Sequence, residues 1–127
     1  MAEDLLNVER QKNYATFSLN RPEKRNALNE VLMRALDEAI ASVEHDKEIR
    51  AVILRANGAG FCSGIDLAEA DRLEGGHNPV GIERVFHRLE NLPVPTIAAI
   101  QGARWPAAAN SHSIAIFGSR LKTCGWV

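Results

Sequence analysis

Apolar and polar residues alternate along the first twenty positions of the chain, which is the pattern of half-buried β-strands. The apolar positions of the two alternating runs are Leu6, Val8, Ala15, Phe17 and Leu19. The polar segment 11–13 between the runs is short, so a β-hairpin is predicted. The second strand is expected to end before Pro22, because proline lacks the N–H that would continue a ladder.

The segment 30–43 has the spacing of an amphipathic helix. Its apolar positions fall on one helical face, and they are Val31, Leu32, Ala35, Leu36, Ala39, Ile40 and Val43. Asn29 is the predicted N-cap, because an asparagine oxygen can accept a hydrogen bond from an N–H of the first turn. We expect this helix to pack against the core.

The middle of the chain predicts a βαβ unit. Positions 51–54 are continuously apolar, as expected of a parallel strand that is covered on both faces, and positions 96–100 are typical of another buried strand. A helix between them is predicted from the spacing of Ile82, Val85, Phe86 and Leu89, and Pro93 and Pro95 end it. Short helical signals also occur at 67–73 and at Asn78–Pro79. The crossover that joins the two strands is expected to be right-handed.

A glycine-spaced loop follows the strand at 51–54. Gly58, Gly60 and Gly64 interrupt it before it reaches Asp66. Open α/β sheets bind ligands at the carboxyl ends of their strands, and glycine lets a backbone N–H approach a ligand without an intervening side chain. We expect the loop to offer main-chain donors to a polarised carbonyl group.

Composition restricts the remaining function classes. The chain has 127 residues, 24% of them charged, and a net charge of −1, which is typical of one small domain without a basic nucleic-acid footprint. No apolar run is long enough to span a membrane, and the acidic N-terminus is unlike a secretory signal. A cytoplasmic protein with free thiols at Cys62 and Cys124 is therefore expected, without a metal site. Cys62 as a nucleophile is an alternative, but no partner residue is evident.

Four segments in order resemble the enoyl-CoA hydratase/isomerase family, the crotonase superfamily. Segment 19–29 resembles the family's Leu-Asn-Arg-Pro…Asn-Ala-Leu sequence, and 50–54 resembles its central strand. Segment 61–66 is similar to its Phe-x-x-Gly-x-Asp loop, and 92–102 to its Pro-x-Pro-x-Ile-Ala-x-Ile-x-Gly strand. The resemblance implies an α/β fold, a truncated crotonase-like (ClpP/crotonase) ββα spiral core.

The resemblance also implies an activity, the hydration or double-bond isomerisation of a 2-enoyl-CoA. Two backbone N–H groups hold the thioester oxygen in such enzymes, and the resemblance assigns one of them to Ser63. The positions that it implies for substrate binding are Lys24, Arg25, Ala27, Ser63, Gly64, Ile65 and Asp66. Asp66 is expected to anchor the loop. Coenzyme A enters as part of the substrate and no further cofactor is implied, while the family's usual assembly is a homotrimer or hexamer.

The chain departs from the family pattern after Gly102. The family continues with Gly-Gly-x-Glu-Leu, which supplies the second oxyanion donor and a catalytic glutamate. This chain has Arg104-Trp105-Pro106 followed by three alanines, and no acidic residue occurs after Glu90. Residues 1–103 are therefore predicted to be the N-terminal part of a crotonase-like domain. The alternative function is a catalytically inactive remnant or a CoA-binding or interaction module.

Residues 104–127 are predicted to be a tail outside the family pattern. If each tail codon's third base is read with the first two bases of the next codon, the sequence permits Gly-Gly-Cys-Glu-Leu, which resembles the missing family segment. The other shifted frame excludes it, because each Ala-Ala junction then reads CNG, which encodes neither glycine nor glutamate. We hypothesise that the tail is out of frame, and the codons that follow Gly102 decide this.

Overall fold

The computed structural model describes residues 5–64, 82–101 and 112–117, the last segment and Ile82 by backbone alone. Its elements in chain order are β1 (Leu6–Arg10), β2 (Tyr14–Leu19), a 3-10 turn (Pro22–Lys24), α1 (Glu30–Val43), β3 (Ala51–Ala56), α2 (Ile82–Glu90), β4 (Thr96–Gln101) and β5 (His112–Phe117).

The five strands form one mixed sheet in the order β1-β2-β3-β4-β5. β1 and β2 pair antiparallel, with Leu6 opposite Leu19, so the predicted hairpin is confirmed. β3 is parallel to β2 on one side and to β4 on the other, with Ile53 opposite Ile97. The predicted strand–helix–strand order is therefore confirmed as well. The helical signals at 67–73 and 78–79 lie outside the described residues.

Helix α1 begins where the sequence predicts. The Asn29 side-chain oxygen accepts a hydrogen bond from the Leu32 N–H at 2.8 Å, which caps the first turn. The apolar face of the helix then packs on β1 and β2, and Leu32 of the helix is fully buried in one cluster with Phe17 of β2 and Val52 of β3. This side of the sheet is the core of the domain.

Three predicted core positions are instead exposed: Val8, Val31 and Phe86. Val8 lies on the edge strand β1, and Val31 lies in the first turn of α1. Phe86 follows Val85, which is buried with Leu89 one turn later, so Phe86 points away from the core side of α2.

Both described helices pack on the same face of the sheet. Val85 and Leu89 of α2 join the cluster that contains Phe17 and Leu36. Covering of β3 on both faces was expected, but Ile53 on its other face is only half-buried by the described residues. No helix within these residues has the length and apolar character needed to cross a membrane.

A charged cluster joins the two helices at the surface. Arg88 of α2 forms ion pairs with Asp37 of α1 and, at 3.1 Å, with Glu44 at the C-terminal end of α1. Arg84 lies 3.9 Å from the same Asp37 carboxylate. These contacts set how α2 lies on α1, and α2 is the helix that carries the chain from β3 to β4.

The packing of α1 predicts the effect of shortening its core side chains. Ile40 is fully buried, so Ile40→Ala is expected to lower the free energy of unfolding by about 2–5 kcal/mol through lost burial and a residual cavity. Arg34→Ala on the same helix removes only an exposed pair with Glu30, and a change within about 0.5 kcal/mol is expected. Urea denaturation measures both, and equal effects would contradict the placement of α1.

Candidate functional site

Two segments that follow parallel strands lie side by side. Segment 20–28 follows β2, and segment 57–64, called here the glycine loop, follows β3. The Ser63 N–H donates to the Arg25 carbonyl at 3.0 Å, and the Leu28 N–H donates to the Gly64 carbonyl at 2.8 Å. The structure thus brings together two groups of residues that the sequence placed in one site, at the carboxyl ends of β2 and β3.

Asn26 lies at the centre of this contact and is fully buried. Its amide nitrogen donates to the carbonyls of Asn57 at 2.9 Å and Gly60 at 3.1 Å. Its side-chain oxygen accepts from the Arg21 N–H at 2.7 Å. The backbone of Asn26 has φ 55°, a left-handed conformation that asparagine adopts more readily than most residues. Sequence reasoning assigned no role to this side chain.

Gln101, the last residue of β4, holds the other end of the glycine loop. Its amide nitrogen donates to the carbonyls of Ala56 at 2.7 Å and Gly58 at 3.2 Å. Its own carbonyl accepts from the Phe61 N–H at 3.0 Å. The loop is therefore bonded to both strands that flank β3.

Two glycines of the loop need a left-handed backbone. Gly58 has φ 103°, and a Cβ there would lie 2.8 Å from the Cβ of Pro22. Gly64 has φ 101°, but no atom lies within 4 Å of where its Cβ would be. At Gly60 a Cβ would likewise have open space around it, and the φ of Gly60 is not positive. Close packing and a positive φ thus both explain the glycine at position 58, whereas at position 64 the positive φ alone explains it.

The Ser63 N–H already has a partner in this structure. It is bonded to the Arg25 carbonyl, so a thioester oxygen would have to share this hydrogen or displace that bond. Within the described part of the chain, the Gly64 N–H bonds to the Cys62 Sγ, at 3.4 Å, and a thiol sulfur is a weak acceptor. The two N–H groups thus differ in the strength of their present partners, and the assignment of the oxyanion donor to Ser63 stays a prediction.

The other predicted binding residues differ in accessibility. Lys24 and Arg25 are exposed, and no carboxylate of the described segments pairs with either. Ala27 is nearly buried, and its N–H and carbonyl bond to the Lys24 carbonyl and the Arg21 side chain. This leaves Ala27 little to offer a ligand. Ile65 and Asp66 lie outside the described residues.

Cys62 is a free thiol, as predicted, and it is half-buried against the core. Burial raises the pKa of the Cys62 thiol, and a hydrogen bond from the Gly64 N–H opposes this to a lesser extent. The thiol donates to the Asn26 carbonyl at 3.3 Å. Cys62 therefore packs the loop against the core and bonds within it, and a raised pKa also disfavours the thiolate that a nucleophile needs. Within the described residues, no group of His, Cys, Asp and Glu side chains is arranged to hold a metal ion.

Comparison with known proteins identifies the family. The family model described as enoyl-CoA hydratase/isomerase matches residues 9–116. The chain belongs to this family. The matched range continues into the predicted tail as far as β5, and the boundary at residue 103 stays a prediction.

Individual relatives agree with this assignment. The chain is 36% identical over 106 residues to the 1,2-epoxyphenylacetyl-CoA isomerase of Escherichia coli, a match that covers 78% of this chain and 40% of the relative. It is 37% identical over 98 residues to the mitochondrial methylglutaconyl-CoA hydratase of Mus musculus, covering 74% and 31%.

Solved structures show the same fold. A crystal structure of an enoyl-CoA hydratase from Mycobacterium marinum superposes with a TM-score of 0.67 at 31% identity, covering 76% of this chain and 47% of that one. The α/β crotonase fold predicted from the sequence is confirmed. The chain spans less than half the length of these relatives.

The surroundings of the glycines yield a prediction. Gly58→Ala is expected to lower the free energy of unfolding by about 1–3 kcal/mol, because the new Cβ meets Pro22 and φ is positive. Gly60→Ala, two residues away, meets no atom and serves as the matched control, with a change within about 0.5 kcal/mol. Thermal unfolding of both variants measures the difference, and a stable Gly58→Ala would show that the loop does not pack on Pro22.

Proposed function

We propose that this chain forms part of an acyl-CoA thioester site, in which the glycine loop hydrogen-bonds the thioester oxygen through backbone N–H groups. The observation that carries the proposal is the pairing of the glycine loop with segment 20–28 at the carboxyl ends of two parallel strands. The named activities of the relatives, hydration and isomerisation of CoA thioesters, give the substrate class. Coenzyme A is then part of the substrate.

The chemistry follows from where negative charge develops. Adding water to a 2-enoyl-CoA, or moving its double bond, passes through an enolate-like state whose charge resides on the thioester oxygen. Backbone donors aimed at that oxygen stabilise it without reorganising. Gly64 is the donor that we assign beside Ser63, since within the described residues its N–H bonds to a thiol sulfur, which is a weak acceptor. The Ser63 N–H becomes a second donor to the thioester oxygen if its hydrogen bond to the Arg25 carbonyl breaks or is shared.

Lys24 and Arg25 supply positive charge beside the loop. Both are exposed, and Arg25 provides the carbonyl that accepts from the Ser63 N–H. A ligand whose thioester reaches the glycine loop can therefore place its phosphates near these cations, where they exchange water for charge-assisted hydrogen bonds. Lys24 and Arg25 are the residues that we assign to the phosphates of coenzyme A.

The alternative is a thioester-binding unit without turnover. The chain has no acidic residue after Glu90, so it lacks the glutamate that the family resemblance places beyond Gly102. Loss of general acid–base groups typically lowers the rate by about 10²–10⁴. Binding and turnover therefore have to be measured separately.

Calorimetric titration with crotonyl-CoA tests the proposal. The double variant Lys24→Ala/Arg25→Ala is expected to bind about tenfold more weakly at low salt, because two exposed ionic contacts are lost and each contributes up to about 1 kcal/mol. Lys47→Ala/Arg50→Ala removes the same charges at the opposite end of β3 and is expected to bind like the wild type.

The outcomes separate the candidate functions. Saturable binding of crotonyl-CoA without loss of its enoyl absorbance supports a binding unit, and loss of that absorbance supports an enzyme. Absence of binding by the wild type, or equal weakening in both double variants, would contradict the proposed site.

A further inference from the structure

We propose that Asn26 and Gln101 are positioning residues, which act as a pair of carboxamide clamps that hold the glycine loop in its donor-presenting conformation. The ligand in this inference, an acyl-CoA thioester, comes from the proposed function. The geometry comes from the hydrogen bonds of the two side chains. Neither residue was among the candidate site residues, and neither side chain is assigned a contact with the substrate.

The two side chains divide the loop between them. Gln101 holds the carbonyls of Ala56 and Gly58, and Asn26 holds those of Asn57 and Gly60. Four carbonyls in a stretch of five residues are thus satisfied by two amide nitrogens. Each of these nitrogens carries two hydrogens, so the donors and acceptors match in number.

Capture of the carbonyls sets the direction of the peptide groups. In a planar trans peptide the carbonyl and the following N–H point in opposite directions. Since the carbonyls of Asn57 and Gly58 face the clamps, the N–H groups of Gly58 and Ala59 face away from them. The clamps therefore fix the peptide planes in the first half of the loop, and the donor segment 62–64 follows directly after Phe61, whose N–H donates to the Gln101 carbonyl.

Asn26, one of the two clamps, itself has a backbone conformation that residues other than glycine adopt only with support from their surroundings. Arg25 and Asn26 have φ values of 51° and 55°, and Gly58 has φ 103°. Left-handed conformations at residues other than glycine persist where surrounding bonds over-determine them. Asn26 is such a residue, and its side chain is tied at three points.

The clamps also couple the loop to strands on both sides of β3. Asn26 follows β2, whereas Gln101 ends β4. The Phe61 N–H, which donates to the Gln101 carbonyl, lies two residues before Ser63. Removal of either clamp is therefore expected to loosen the donor segment 62–64 as well as the residues directly bonded.

Amide hydrogen exchange of the full chain tests the proposal without a ligand. Gln101→Met keeps the side-chain length and removes the donor, so exchange at the Asn57, Phe61 and Ser63 amides is expected to accelerate about tenfold relative to the β3 amide of Val52. Gln11→Met, the same change in the exposed hairpin turn, is expected to leave this ratio unchanged.

A second variant tests the proposal independently, in case Gln101→Met does not fold. Asn26→Asp keeps the acceptor for the Arg21 N–H and loses both donors to the loop, so the same amides are expected to accelerate. Asn29→Asp is its matched control, because aspartate caps a helix as well as asparagine does. Acceleration of Val52 and the loop to the same extent, or no acceleration in either clamp variant, would overturn the proposal.

A ligand measurement separates this inference from the proposed function. The affinity ratio of crotonyl-CoA to free CoA reports the contact with the thioester and cancels the contacts with the nucleotide. A ratio above one in the wild type is expected to fall toward one in Gln101→Met. A ratio of one in the wild type would contradict the proposed function, while the exchange data would still decide whether Asn26 and Gln101 hold the loop.

Discussion

The hydrogen bonds of the buried Asn26 side chain are the interaction on which the candidate site depends. They join segment 20–28 to the glycine loop at the carboxyl ends of β2 and β3. A fully buried amide that lost these partners would leave several polar groups unpaired, at a cost of about 1–3 kcal/mol for each. The loop and the segment therefore form one structural unit, and neither is expected to keep its shape without the other.

This unit is supported by the packing beneath it. Phe17 and Val52 are buried in one cluster with the apolar residues of helix α1, and the register of β2 with β3 determines where each strand ends. The ion pairs of Arg88 position α2 on α1, and α2 leads to β4, whose last residue is Gln101. Core packing thus sets the positions of Asn26 and Gln101 relative to the glycine loop, although the core residues named here do not lie in the site.

The elements were predictable from the sequence because their signals are local. Alternation gave the hairpin, a 3.6-residue period gave α1, and continuous apolar runs gave β3 and β4. The clamps were not predictable in this way, because Asn26 bonds to residues 31 and 34 positions away and Gln101 to residues 45 and 43 positions away. Such pairs leave no periodic trace in one sequence.

The choice of donor shows a similar limit. Family resemblance pointed to Ser63, and this assignment stays a prediction, because a residue type does not reveal which of its hydrogens is already bonded. The structure shows the Ser63 N–H paired with Arg25, and it leaves the Gly64 N–H with a thiol sulfur. The assignment of Ala27 also stays a prediction, and the sequence alone does not show that its backbone groups are bonded within the protein.

The most direct test of the account is the ¹H–¹⁵N spectrum of the chain with crotonyl-CoA, compared with its spectrum with free CoA. If backbone donors of the glycine loop hold the thioester oxygen, the Gly64 amide proton shifts downfield with crotonyl-CoA and not with CoA, because only the thioester supplies a stronger acceptor than the Cys62 sulfur. Identical Gly64 shifts with the two ligands, or a shift confined to residues far from the loop, would contradict the account.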